Sequence, residues 1–312
     1  MKGFMRKSIL VGMAVVIALG IGAFYFQREK CEYEVVENGT MGSEIFSGNK
    51  KLEQMVNKKY VSIKNQEKKT SAYNISLQKY FYDSSSGIAA VELKIEGLDG
   101  RNISDKEYKA LRKNVKNGNV TYFFEKIVSG SGFLDEVKKE ENGEVYIYHA
   151  SLLSGITQGN GKKDIQEVCV KIGEDRITFA TPEFDAESEE KVIELAKGSK
   201  IETLCYGDGY IDVMWDTKQI MKDFKKSLSK KKKEMGSSFN EEKYGYDVYQ
   251  SAQILTSSGK KIDMDVVDGK NIEACFFIDK EDDKKANLRV ILGDQIEIAE
   301  IIIDGEIYEV AS

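Results

Sequence analysis

Any imidazole chemistry in these 312 residues must run through His149, because the chain has a single histidine. It lies in Glu144–Leu153, where alternation predicts a strand carrying Val145, Ile147, His149 and Ser151 on one face. A serine beside an imidazole can be made nucleophilic when the ring takes its proton. Residues two apart on a strand, however, stand roughly 6–7 Å apart at Cα with side chains running parallel. That spacing alone makes no nucleophile–base contact. The expectation is a strand-face histidine with no catalytic role, in a chain that is not an enzyme.

The cysteines Cys31, Cys169, Cys205 and Cys275 form no Cys-x-x-Cys pair, which excludes a zinc ribbon or a thioredoxin-type motif. Cys169, Cys205 and Cys275 fall in expected strands, where an isolated thiol packs as a small apolar group. One bridge among those three is the alternative. Gly155–Lys163 superficially suggests a phosphate loop, yet Ile156 stands where the motif needs glycine and Lys163 where it needs Ser or Thr. Asp263, Asp265 and Asp268 approach a calcium loop in the wrong register, with Val267 in the fifth place. No catalytic residue, metal ligand or cofactor is expected from these patterns.

The most distinctive polar feature is a lysine cluster. Lys218, Lys222, Lys225, Lys226, Lys230, Lys231, Lys232 and Lys233 oppose only Asp216 and Asp223 across their span. A patch at Lys225, Lys226, Lys230, Lys231, Lys232 and Lys233 would attract anionic headgroups or wall polymers within a Debye length, about 8–10 Å. Lysines late in a helix also complement its dipole, so a solvated helix face is the plainer reading. The chain as a whole carries −6, and its first thirty residues are basic, so the remainder is more acidic still. An acidic body excludes nucleic acid as the main partner, because phosphate binding needs a basic face.

The segment that would position everything else is Ile9 to Phe26, which contains no charged residue. Eighteen helical residues at about 1.5 Å each span roughly 27 Å, close to the hydrocarbon core of a bilayer. Lys2, Arg6 and Lys7 precede it, and positive charge stays on the cytoplasmic side. The expectation is a cytoplasmic tail at 1–7, a signal anchor at 8–26, and the bulk of the chain outside the cell, with the cell membrane as partner. A cleaved signal peptide is the competing reading, with Ala18-Leu19-Gly20 a passable site, but the apolar run continues six residues further.

Beyond the anchor, polar residues 27–60 read as a stalk, weakly helical around Lys50–Lys59. From Val61 onward, short β-branched and aromatic runs alternate with turn residues. Tyr73–Tyr82 and Ile88–Ile95, Asp164–Ile172 and Arg176–Ala180, and Lys200–Tyr206 and Tyr210–Trp215 each read as a hairpin. So do Gln250–Thr256 with Lys261–Val267, Lys261–Val267 with Asn271–Ile278, and Ile296–Ile303 with Glu306–Val310. Three helices interrupt them. Ser104-x-x-Glu107 is a capping box that opens Asp105–Lys116, and Ala186–Lys197 and Thr217–Met235 show helical apolar spacing. The fold class expected is mainly β: one N-terminal transmembrane helix, then two antiparallel β-sandwich-like domains with a few inserted helices. The first sandwich takes 61–185, a connecting helix 186–198, and a second β-rich domain 199–312 with the basic insertion 217–235.

Tyr73–Asp83 followed by Val91-Glu92-Leu93-Lys94-Ile95 resembles the first hairpin of a β-sandwich family, the extracytoplasmic immunoglobulin-like domains of Gram-positive membrane-anchored proteins. Leu255–Ile262 and Ile298–Tyr308 are similar to that family's C-terminal unit. Some relatives are anti-sigma-factor-like, with a cytoplasmic domain before the membrane helix. Only about seven residues precede the apolar run here, too few to hold a sigma factor, so the resemblance implies an ectodomain role alone. The function expected is therefore a non-catalytic envelope module that binds or senses, with an envelope protein or an anionic wall polymer as partner. An exported hydrolase working through carboxylates is the alternative. An accessory subunit of a membrane complex is the other.

Overall fold

The computed structural model describes residues 31–41, 49–124, 129–154, 167–195, 201–207, 209–216, 229–230, 232–238, 252–263, 272–278, 285–294, 296–303 and 306–310. The chain is mainly β, with several antiparallel sheets and few helices. Its N-terminal part contains β1 (Glu32–Glu37), α1 (Lys50–Lys58), β2 (Lys59–Lys64), β3 (Glu67–Lys69), β4 (Tyr73–Asp83), β5 (Ile88–Gly97) and α2 (Asp105–Lys116). There follow β6 (Val120–Phe124), β7 (Ser129–Lys139), β8 (Val145–Ser154), β9 (Glu167–Ile172) and β10 (Asp175–Ala180). One sheet runs β1-β2-β4-β5-β8-β7, with β3 paired to β4, and a second runs β10-β9-β6.

The sequence of β5, Ile88-Ala89-Ala90-Val91-Glu92-Leu93, shows why both faces of this sheet are dry over much of its area. Ala89, Val91, Leu93 and Ile95 join Ile75, Leu77, Tyr80 and Tyr82 in a core shared with Val168, Val170 and Phe179 of the three-stranded sheet. The alternate residues Ile88 and Ala90 face the other way, into a cluster with Leu52 and Val56 of α1, Phe81, Tyr148 and Ala150. A strand buried on both faces reads as a nearly continuous apolar run, and the end of β4 from Tyr80 to Asp83 and most of β8 are buried on both faces too.

The C-terminal part contains β11 (Lys191–Val192), β12 (Ile201–Gly207), β13 (Tyr210–Asp216), β14 (Ala252–Thr256), β15 (Lys261–Asp263), β16 (Ile272–Ile278), β17 (Lys285–Leu292), β18 (Ile298–Ile303) and β19 (Glu306–Glu309). They form one sheet in the order β11-β12-β13-β17-β16 and another in the order β15-β14-β18-β19. Leu204, Ile211, Val213 and Val290 of the first meet Ile254, Ile301 and Ile303 of the second.

Three expectations are corrected. Residues 31–41 and 49–60 are no stalk: β1 pairs with β2 along its full length, and α1 buries Leu52 and Val56, four residues apart on one helical face. Asn49 caps α1 by accepting from the Leu52 N–H, and its amide donates to the Leu292 carbonyl, 243 residues away.

The connecting helix expected at 186–198 is also absent over its described residues, 186–195. The segment is extended, and Val192 pairs with Cys205 while the Ile193 N–H donates to Leu204. Asp83 and Asp185 hold its start, accepting from the N–H groups of Ser188 and Glu187. Ala186 packs against the N-terminal core, and beyond it Ile193 and Leu195, two residues apart, touch the C-terminal one.

Finally, β15 and β16 do not pair. They belong to different sheets, so the chain crosses between sheets after Asp263. Helix α2, in contrast, starts as the sequence indicates. The Glu107 N–H donates to Ser104 Oγ and the Ser104 N–H donates to Glu107 Oε2 at 2.7 Å. Among the described residues no helix is long and apolar enough to cross a membrane; the run Ile9 to Phe26 lies outside them.

Candidate functional site

His149 is positioned by β8, and its neighbours come from three strands. The β7–β8 register places Gly132 opposite Ser151 and Asp135 opposite His149, with an irregularity between Gly132 and Leu134. That extra residue brings an acidic side chain onto the face of β8 that carries the imidazole. Asp135 Oδ1 lies 2.8 Å from His149 Nδ1, and Ser151 Oγ lies 2.7 Å from Nε2. A carboxylate only accepts, so Nδ1 carries the proton and donates to Asp135. In that tautomer Nε2 accepts from the Ser151 hydroxyl.

The strand-spacing expectation is therefore overturned in one respect: the ring lies along the strand and reaches its i+2 neighbour. His149 and Ser151 are each 5% exposed, while the Asp135 side chain is 38% exposed. The relay thus runs from a buried hydroxyl to a carboxylate at the solvent boundary. From β6, the Tyr122 ring stacks on the imidazole at 3.7 Å and 15°, with Phe124 at 6.1 Å beyond. Burial, and secondarily the negative Asp135, hold the Tyr122 hydroxyl well above its ordinary pKa. Its oxygen is buried without a hydrogen-bond partner among the described residues.

A second polar cluster lies where the two parts of the chain meet. Arg289 of β17, 4% exposed, donates through Nε to Asp212 Oδ2 at 3.3 Å. Its Nη1 donates to the Leu153 carbonyl at 3.0 Å and its Nη2 to the Ser84 carbonyl at 3.2 Å. Asp83, fully buried beneath it, accepts from the N–H groups of Ser86 and Ser188. Burial, with Asp212 and Asp83 adding negative charge, raises the Glu190 carboxyl above its ordinary value. Burial, with Glu190 and Asp212 beside it, pushes the Cys205 thiol up to about 12. Tyr210 is raised by burial and by Asp83 in the same way. This cluster is a structural lock, since every polar group of Arg289 named here is spent on the chain itself.

Of the sites read from sequence, Lys230, Lys232 and Lys233 are exposed. Lys225, Lys226 and Lys231 lie outside the described residues, as do Ile9, Phe26 and the glycine loop at Gly155–Lys163. Cys31 is half-buried and Cys169 and Cys205 are buried, all three free thiols. Among the described residues no His, Cys, Asp or Glu group could hold a metal ion. Sequence reasoning missed Asp135 and Arg289. The first carries no local signal, because its role depends on a bulge. The second does: it is the only charged residue in Leu288-Arg289-Val290-Ile291-Leu292.

No family model matches this sequence, and no curated protein is similar to it. A solved structure, a conserved domain protein from Bacillus anthracis, is similar over 76% of this chain and 74% of that one, at 9% identity and a TM-score of 0.34. That likeness is too slight to place the fold in a family.

Proposed function

We propose that this chain is a membrane-anchored extracytoplasmic module of the bacterial envelope that works by binding or sensing rather than by turning over a substrate. The observation that supports it best is the closeness of the apolar run to the folded body. Phe26 ends that run and β1 begins at Glu32. The five residues between span at most about 17 Å. Each half of the body is read as an antiparallel sandwich of the immunoglobulin-like kind, held against the outer face of the membrane by the helix at 8–26. Loops and the lysines at 225–233 would meet the partner, an envelope protein or an anionic wall polymer.

Fractionation tests the anchor. The full chain should sediment with membranes and resist extraction by high salt and carbonate. A variant in which 9–26 is replaced by a cleavable signal sequence should leave the membrane fraction. Full-length protein in the soluble fraction would overturn the reading.

A further inference from the structure

The relay at Asp135, His149 and Ser151 is left unused by a binding role, and three features of it point to chemistry. Ser151 has a base 2.7 Å away, and that base is oriented by a carboxylate on its other nitrogen. This is the connectivity that activates a serine. The residues opposite Ser151 in the two flanking strands are Gly132 and Ala89. Directly opposed residues share a face, so the hydroxyl is bordered by the two smallest residue types. Its strand is one in from β7, the last strand of the sheet. The third feature is the hydroxyl of Tyr122, whose ring stacks on the imidazole; it is buried with no partner among the described residues. A buried donor left unpaired needs an explanation, and a ligand oxygen would satisfy it.

We propose that Ser151 is an activated nucleophile that takes the acyl group of a small, uncharged carboxylic ester. Ser151 Oγ forms a bond to the carbonyl carbon while its proton passes to His149 Nε2. The ester C–O bond then breaks, and the leaving alcohol carries that proton away, so acyl-serine and free alcohol are the products. Asp135 is a positioning residue that holds the ring and compensates its positive charge. Tyr122 supplies the donor available to the carbonyl oxygen. The rings of Tyr122 and Phe124 make the surroundings apolar, which disfavours a charged acyl group. Acylation of one serine is itself a form of binding and needs no turnover, so the inference goes beyond the envelope role and stands independently of the anchor.

The test is p-nitrophenyl acetate added to the purified full chain in detergent. One equivalent of p-nitrophenolate per chain should appear in a burst, with the acetyl group located on Ser151 by peptide mass. Ser151→Ala should abolish that label and His149→Gln slow it about 100-fold or more. Asp135→Asn, at the partly exposed end of the relay, is the variant least exposed to folding failure. It should slow labelling about 10-fold or more with unchanged thermal unfolding, and shift the pH profile of the burst. Acetyl found only on lysines, or Ser151 labelled as fast in Asp135→Asn as in the parent, would overturn the proposal.

Discussion

Arg289 fills the space that a Cβ at Gly87 would need. Gly87 closes the turn between β4 and β5 at φ +73°, and a side chain there would overlap Nη1 of the guanidinium and crowd the Leu153 carbonyl. The turn and the arginine come from opposite parts of the chain, so this close approach lies at the seam between them.

Gly87→Ala is expected to destabilise the protein by about 3 kcal/mol or more, combining left-handed backbone strain with disturbed buried hydrogen bonds. Gly173, also left-handed at φ +61° but facing open space, is the control. Gly173→Ala should cost about 1–2 kcal/mol, the strain alone. Urea midpoints compare the two; equal losses would contradict the seam contact.

Removing the arginine itself should cost more. Arg289→Met takes the guanidinium away from buried Asp212 and a donor from each of two carbonyls, at about 3–5 kcal/mol. Adding Asp212→Asn should recover part of the loss by removing a buried negative charge that has lost its guanidinium. Calorimetry should show one unfolding transition in the parent and two in Arg289→Met, as the parts uncouple.

Helix α1 offers a test of whether the chain before Val61 belongs to the body. Leu52→Ala should destabilise by about 2–5 kcal/mol, the range for a buried leucine. A tether outside the fold would lose nothing measurable by the same denaturation.

Glu92 sets a pH dependence of its own. Burial raises its carboxyl above the usual 4.5, with Lys79 at 2.8 Å opposing the shift. A carboxyl raised in the native state binds protons there more readily than in the unfolded chain. Its contribution to stability is therefore present at low pH and lost as pH rises from 4.5 through the raised value. Glu92→Gln lacks that loss, so its urea midpoint should gain on the parent's as pH rises above 4.5. A gap constant with pH would contradict the shift.

How much of this was legible in the sequence depends on where the determining contacts lie. The α2 cap and most of the hairpins were readable, because Ser104, Glu107 and turn glycines such as Gly173 and Gly259 act within a few residues of themselves. The segment at 186–195 was not, since its strand character comes from pairing with Cys205 and from carboxylates at Asp83 and Asp185. Leu52 and Val56 gave α1 its helical spacing, but only the distant sheet and Ile291 show that the helix is buried. His149 and Ser151 were visible as neighbours. The contact between them required the ring to lie along the strand, and Asp135 required a bulge, neither of which periodicity encodes.

The central claim is topological, and protease added to intact cells tests it most directly. The body should be degraded from outside, leaving a fragment of the first thirty or so residues in the membrane, while a cytosolic control protein survives. Survival of the full chain in intact cells, with degradation only after the membrane is permeabilised, would contradict it.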